Sequence, residues 1–308
     1  MHNLWKTLRN STFNTKHFLL ILPEKLFFQN FNKIMKLKKT WNSKLKNSNS
    51  RILSISFILL SHIRRSDSIT DDEMSKNVEE FDSKLSKVSG EALSYRLTRS
   101  DLILNMNQFG KDWEKMMDTE EIRLWRRKYP GNEETFEYRV CGTYTDISAK
   151  SFMNTQIDLT YRKKWDNMVI LLNVIFKDEE THSEFIRWVS YYPYPLANRE
   201  YIYLRRFLID AENGIAIVVS RAIGSHPFLD KILEYDKSPP SIVRVTEYVS
   251  KLFVQAHSKY DKPGMDYFLI YYDNPKANIP RTAMKWASSS GVPSFIKKLH
   301  DAALKNPH

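Results

Sequence analysis

The stretch "EFIRWVSYYPYPLANREYIYLRR" (residues 184–206) decides the fold, because it contains two strand-like runs separated by a proline-rich loop. Proline cannot donate a hydrogen bond to a strand ladder, so the loop separates the two strands. Other runs rich in β-branched and aromatic residues lie before and after it, with turn residues between them. They cover residues 169–176, 214–223, 241–256 and 265–273. No helical pattern alternates with these runs, so we expect an antiparallel sheet.

Helical patterns flank the predicted sheet. Residues 148–167 lack Gly and Pro and predict a helix, and residues 112–122 predict a short one. The segment 280–304 predicts a C-terminal amphipathic helix that Gly291 and Pro293 bend or divide. The expected class is therefore α+β, with a long helix that covers one face of a curved sheet and encloses a space.

The positive charge is confined to the N-terminal segment. The chain of 308 residues has a net charge of +11, and residues 1–66 hold 13 Lys and Arg against one acid, Glu24. A basic, acid-poor start is typical of a mitochondrial transit peptide, although a biased tail without an address has the same composition. The neutral remainder gives no reason to expect nucleic acid as a partner.

Two short patterns lie before the predicted domain. The apolar run 52–63 is about 18 Å long as a helix, too short for an ordinary membrane crossing, so an interfacial anchor or import signal fits better. Residues 71–89 carry a heptad stripe that predicts a helix packed on a neighbour, or weak self-association through a short coiled coil. The stripe consists of Met74, Val78, Phe81, Leu85 and Val88.

These patterns predict three parts in the chain. Residues 1–66 form a basic targeting or anchor segment that is mostly disordered, and residues 67–110 form a helical linker. Residues 111–306 form the folded domain.

Enzyme signatures are absent from the sequence. It has no Gly-rich phosphate loop and no G-x-S-x-G elbow, and its eight His show no metal-ligand spacing. The single cysteine, Cys141, lies in a strand-like run, where a buried and inert thiol is expected. We therefore expect a binding module without catalysis, metal or cofactor.

The predicted strands are rich in Tyr and Trp. Trp188, Tyr201, Tyr248 and Tyr271 each belong to a different run. A quaternary ammonium cannot donate a hydrogen bond, and aromatic faces are its natural partners. Such rings form a cation-binding cage or pack against each other across strands, and their spacing fits both interpretations.

One charged pair fits a phosphate group next to such a cage. Arg162 and Asp166 are four residues apart on a predicted helix and therefore share a face. A buried guanidinium held by its own carboxylate suits a phosphate, whereas an exposed pair would be an ordinary surface ion pair.

Several ordered motifs resemble the START (StAR-related lipid transfer) domain family, particularly its phosphatidylcholine transfer subgroup. They are "IDLTYRKKWD", "WVSYYPYPLANREYIYLRR", "VRVTEY", "YYDNPKANIP" and "SSSGVPSFIKKLH", within about residues 112–305. The run "YRVCGTYTD" and the basic N-terminal extension are similar to the mitochondrial branch of that subgroup. The resemblance implies a helix-grip fold, in which a curved antiparallel sheet and the C-terminal helix enclose a lipid tunnel.

The resemblance also implies a function. A non-catalytic carrier would bind one phosphatidylcholine and shuttle it between membrane surfaces, to or within mitochondria. It would act in the intermembrane space or at the outer face, with a cytosolic pool. Two alternatives stay open, namely a carrier of another lipid such as a sterol or ceramide, and an enzyme built on the same cavity fold.

The same resemblance assigns site residues. It implies that Arg162, with Asp166 as its partner, binds phosphate, and that Trp188, Tyr201 and Tyr271 cage the choline, with Tyr248 lining the same site. Gln156 and Ser250 depart from the polar pocket positions of the subgroup. The expected gate and membrane contacts lie in the loop 192–198 and the C-terminal helix. They are Tyr194, Pro195, Trp286, Gly291, Pro293 and Phe295.

Overall fold

The computed structural model describes residues 68–86, 112–192, 196–223, 242–276 and 292–306. All of them belong to one compact unit, residues 63–308. The predicted targeting segment with its apolar run 52–63 lies outside the described residues, as do Tyr194, Pro195, Trp286 and Gly291. None of the helices in the described part of the chain is long and apolar enough to span a membrane.

The described residues form four helices and ten strands. The helices are α1 (Asp71–Ser86), α2 (Ala149–Ile157), α3 (Leu159–Trp165) and α4 (Val292–Lys305). The strands are β1 (Glu114–Asp118), β2 (Ile122–Tyr129), β3 (Asn132–Ser148), β4 (Val169–Lys177), β5 (Glu184–Ser190), β6 (Asn198–Asp210), β7 (Ile215–Ala222), β8 (Ile242–Val245), β9 (Tyr248–Ala256) and β10 (Pro263–Asp273).

The strands form one sheet in the order β1-β2-β3-β10-β9-β7-β6-β5-β4. Every neighbouring pair along this path is antiparallel, and β8 alone pairs parallel with the start of β6. The predicted turn at Asn213-Gly214 connects β6 to β7, where Gly214 adopts a φ of +69°. The antiparallel α+β architecture predicted from the sequence is confirmed.

Two local predictions are wrong. Residues 112–122 contain β1 and the turn into β2 instead of a helix, because the pairing of Lys115 with Trp125 and the ion pair between Asp118 and Arg123 outweigh local helix propensity. The helix predicted over residues 148–167 is divided at Asp158. Its backbone N–H caps the end of α2, and its side chain accepts hydrogen bonds from the first turn of α3.

The inner face of the sheet packs against α2 and α4. Phe152 and Met153 of α2, together with Ile296 and Leu299 of α4, lie in the core formed with this face. Because successive side chains of a strand point to opposite faces, the strand register assigns the remaining residues to one face or the other.

The outer face of the sheet has an apolar core of its own. It includes Trp125, Cys141, Phe185, Leu204, Ile217, Phe253 and Phe268. Ile69, which precedes α1, and Met74, near the start of α1, complete this core. They are 0% and 3% exposed. Burial raises the pKa of the Cys141 thiol to about 12, so the thiol stays protonated.

Polar contacts attach the start of α1 to the sheet. The backbone N–H of Ile69 donates to Ser183 Oγ at 3.1 Å, and Arg206 Nη1 donates to the Ile69 carbonyl at 2.9 Å. Arg221 Nε lies 3.0 Å from Glu73 Oε1, and Arg206 also pairs with Asp71. Met74 and Val78 of the predicted heptad stripe therefore contact the sheet of the same chain.

Candidate functional site

The four rings predicted to form a site lie on the inner face of the sheet. Trp188 on β5 pairs directly with Tyr201 on β6. Tyr271 on β10 pairs with Ser250, two residues after Tyr248 on β9, which places these two rings on one face. The structure therefore brings together side chains from four strands, two consecutive ones and two that lie further along the sequence.

These rings form one continuous cluster, the ring cluster, which consists of Trp188, Tyr201, Tyr248 and Tyr271. Trp188 stacks on Tyr201 with ring centroids 4.6 Å apart. Tyr248 meets Tyr201 and Tyr271 edge-on, at 5.7 Å and 5.8 Å. Tyr201 and Tyr248 are buried, whereas Trp188 and Tyr271 are half-buried.

The predicted charged pair lies against this cluster. Arg162 Nε is 3.2 Å from Asp166 Oδ2, and the two side chains are only 15% and 3% exposed. The pair is therefore largely removed from water, unlike an ordinary surface ion pair. The guanidinium carbon of Arg162 lies 5.0 Å from the ring centroid of Trp188, within the range of a cation–π contact.

The end of α3 explains the position of the pair. Asp166 caps this helix, and its Oδ1 accepts a hydrogen bond from the Met168 backbone N–H at 3.1 Å. The carboxylate therefore binds both the backbone that leads into β4 and the guanidinium of Arg162. Such anchoring fixes the cation in one orientation next to Trp188.

Asp273 is a member of the site that the sequence reasoning missed. Tyr201 Oη donates to Asp273 Oδ2 at 2.7 Å, and the Tyr271 hydroxyl also hydrogen-bonds this carboxylate. Loss of hydration on burial raises the pKa of Asp273, against the opposing effects of both phenols and Arg199. Asp273 follows Tyr271 by two residues in a strand, a spacing that could have indicated the shared face.

The phenols of the cluster are donors at neutral pH. Burial raises the pKa of Tyr201, Tyr248 and Tyr271 above the ordinary value of 10.0. Tyr192 has its hydroxyl 3.3 Å from that of Tyr201, and burial raises its pKa to about 12. The hydroxyl groups therefore remain neutral and can donate to an oxygen.

A second buried ion pair lies on the inner face. Arg205 Nη2 is 2.6 Å from Glu184 Oε2, and the same nitrogen donates to the Ile157 carbonyl at 2.9 Å. The backbone carbonyl of Gln156 also accepts a hydrogen bond from Arg205 at 3.4 Å. Gln156, whose side chain departs from the subgroup, therefore contacts the Arg205–Glu184 pair through its backbone. The sequence reasoning did not single out Glu184 or Arg205.

Of the predicted gate residues, two fall in described parts of the chain. The helix α4 begins at Val292, so Pro293 lies in its first turn, where proline is tolerated without a kink. Phe295 is half-buried, and its ring centroid is 5.7 Å from that of Trp165 on α3. At Phe295 the structure therefore shows packing between helices.

Comparison with known proteins gives the family. A family model described as "START domain" matches residues 98–308, more than half of the chain. The chain belongs to the START domain family. The sheet with its C-terminal helix agrees with the helix-grip fold that the sequence motifs implied.

Relatives of known name match about two thirds of the chain. "StAR-related lipid transfer protein 7, mitochondrial" from Mus musculus is 43% identical over 203 residues, 65% of this chain. The match covers 52% of that relative, so the chain spans about half its length. Human "Phosphatidylcholine transfer protein" is 31% identical over 193 residues, 62% of this chain and 83% of that protein.

One solved structure supports the fold. The crystal structure of human STARD10 superposes with a TM-score of 0.52 and covers 69% of this chain and 82% of that one. The sequences are 20% identical, so this similarity supports the fold alone.

Proposed function

We propose that this protein carries one phosphatidylcholine molecule inside the START domain and exchanges it between membranes. The observation that supports this function is the contact of a buried guanidinium with a cluster of aromatic rings on one face of the sheet. Two relatives, named for lipid transfer and phosphatidylcholine transfer, point in the same direction.

The head-group chemistry follows from these residues. Arg162 would bind the phosphate, because its charge and its fixed N–H groups suit phosphate oxygens. The half-buried rings of Trp188 and Tyr271 would contact the trimethylammonium, each contributing roughly 0.5–2 kcal/mol when water is excluded. A primary ammonium is more strongly hydrated than a trimethylammonium and would lose more of that hydration against the ring faces, so phosphatidylethanolamine should bind less well.

The apolar inner face would solve the larger energetic problem. Transfer of the two acyl chains of a phospholipid into water exposes around thirty methylenes and costs on the order of 20 kcal/mol. Among the strand residues predicted to line a tunnel, Leu172 shares the core of the ring cluster. Leu204 and Ile217 belong to the outer core, Ile202 pairs with Arg187 on the outer side, and Ile170 is 55% exposed.

We further propose that the carrier is non-catalytic and acts at or in mitochondria. Two relatives that are named for lipid transfer support a carrier without catalysis. The mitochondrial name of one relative and the basic residues 1–66 support the location. A fluorescent fusion of residues 1–66 should reach mitochondria, and a diffuse cytosolic signal would contradict the targeting proposal.

Native mass spectrometry of the full chain purified from cells tests the ligand. A choline phospholipid bound at 1:1 supports the proposal, whereas a sterol or ceramide in its place supports the alternative carrier. Phosphatidylcholine transfer between vesicles then tests the site. Trp188→Ala and Tyr271→Ala should each lower the rate, and Tyr191→Ala, at a ring that is 47% exposed, is the matched control. Unchanged transfer in both ring variants with native near-UV circular dichroism would contradict the site.

A further inference from the structure

The ring cluster has a charged side chain at each end. The guanidinium of Arg162 lies 5.0 Å from the ring of Trp188, which stacks on Tyr201 at 4.6 Å. The hydroxyl of Tyr201 donates to Asp273 at 2.7 Å. A cation, two stacked rings and a carboxylate therefore follow each other on the inner face of the sheet.

Asp273 differs from the buried carboxylates Asp166 and Glu184 in its partners. Asp166 pairs with Arg162 and Glu184 pairs with Arg205, but the hydrogen-bond donors to Asp273 in the described residues are phenols. The guanidinium of Arg199 is close enough to lower the pKa of Asp273, yet it donates to the carbonyls of Pro275 and Ala197.

A buried carboxylate without an ion-pair partner is costly for the folded protein. Such a group is understandable where a ligand brings the opposite charge. Asp273 follows Tyr271 by two residues on β10 and accepts a hydrogen bond from Tyr201, so its side chain lies on the ring-bearing face where that ligand would bind.

We propose that Asp273 is the counter-charge for the cationic end of a zwitterionic head group. This inference rests on the proposed function and deepens it, because it assigns the head group an orientation and a residue that selects it. The phosphate lies at Arg162 and the trimethylammonium lies between the rings and Asp273. The site is then complementary to a dipole, and lipids that lack the cation leave Asp273 without a partner.

The selectivity follows from electrostatics. Attraction between a carboxylate and a nearby cation is much stronger in a water-poor site than in solvent. An anionic lipid of the same length, such as phosphatidylglycerol, offers a phosphate for Arg162 but no cation for Asp273. Asp273 therefore favours choline lipids and also disfavours the anionic competitor.

The same geometry predicts a pH dependence. The groups that face or neighbour Asp273 are Tyr138 on β3, Tyr192, Arg199 and Tyr201 on and before β6, Tyr248 on β9 and Tyr271 on β10. Burial raises the pKa of each of these five tyrosines, so their hydroxyl groups stay neutral in acid. Arg199 stays charged throughout. Burial also raises the pKa of Asp273, so acidification neutralises the proposed counter-charge.

The test uses the full chain and donor vesicles that contain equal fractions of phosphatidylcholine and phosphatidylglycerol with identical acyl chains. The measured quantity is the ratio of the two transfer rates. Asp273→Asn preserves the shape and one acceptor oxygen but removes the charge, and it should lower this ratio about tenfold, equivalent to about 1.4 kcal/mol. The matched control is Asp261→Asn, the same change at an exposed turn position, which should leave the ratio unchanged.

Each outcome is decisive. If the wild-type protein transfers no phosphatidylcholine, the proposed function fails and this inference fails with it. If the wild type transfers it and Asp273→Asn keeps the same ratio, or lowers both rates equally, only the counter-charge is refuted. If the variant lacks native near-UV circular dichroism, the wild-type ratio is measured from pH 7 down to pH 3.8, the ordinary value that the pKa of Asp273 exceeds. A falling ratio supports the proposal, and a constant one overturns it.

Discussion

Replacement of Ile69 tests whether the segment before α1 is part of the folded domain. Ile69 is 0% exposed and belongs to the outer core of the sheet. Ile69→Ala removes three carbon atoms, which at about 0.8 kcal/mol per buried methylene amounts to roughly 2.4 kcal/mol. The cavity left behind adds to this loss, so we expect the free energy of unfolding to fall by about 3 kcal/mol.

The assay is equilibrium unfolding of the full chain in urea, followed by tryptophan fluorescence. Lys76→Ala provides the control, because Lys76 is exposed on the helix α1 that follows Ile69, and it should change the free energy by less than about 0.5 kcal/mol. If Ile69→Ala is as stable as this control, the segment does not pack on the sheet.

A chain that begins at residue 111 should expose Phe185, Leu204 and Ile217 and should aggregate more readily than the full chain.

Three further changes have predicted results. Arg162→Ala leaves Asp166 buried without its cation and should lower the free energy of unfolding in urea by about 3 kcal/mol. Adding Asp166→Asn to this variant should recover part of the loss. An unchanged free energy of unfolding in Arg162→Ala would refute burial of the pair. Asp273→Asn should raise the melting temperature of the lipid-free protein at pH 7. The pKa of Asp273 is raised in the folded protein, so ionisation of Asp273 destabilises the wild type as pH increases above the ordinary value of 3.8. The gain in melting temperature from Asp273→Asn should therefore disappear near pH 3.8. A gain that does not depend on pH would contradict the raised pKa of Asp273. Gly142→Ala should cost about 1–3 kcal/mol, since the new Cβ would overlap the Tyr267 ring, whereas wild-type stability would show that the ring can move.

Local sequence patterns predicted the parts of the candidate site that depend on spacing within one element. The interval from Arg162 to Asp166 placed both side chains on one helical face, and the structure shows them 3.2 Å apart. The mid-strand context of Cys141 predicted a buried thiol, and this residue is 5% exposed. Asp273 escaped notice because its importance depends on Tyr201, which is 72 residues away along the chain.

The direction in which each strand faces could not be read from the sequence. A sheet with one solvated face shows alternating apolar and polar residues, which reveals the buried side. Here α2 and α4 cover one face while Ile69 and α1 cover the other, so the middle of β6 is buried at almost every position. With both sides apolar, the period of two no longer distinguished the inner residue Tyr203 from the outer residue Leu204.

The strand β6 contacts both layers that pack on the sheet, the helices α2 and α4 on the inner face and the segment before α1 on the outer face. Tyr201 and Arg205 of this strand contribute to the inner site, while Leu204 and Arg206 hold the segment before α1 on the outer side. A one-residue shift of the strand would exchange these two sets, so apolar packing on the outer face helps to fix the register of the inner face. Because Tyr201 connects the Trp188 ring to Asp273 only in this register, the outer core stabilises the alignment of the charges and rings from a distance. The segment before α1 therefore supports the ring cluster from the opposite face of the sheet.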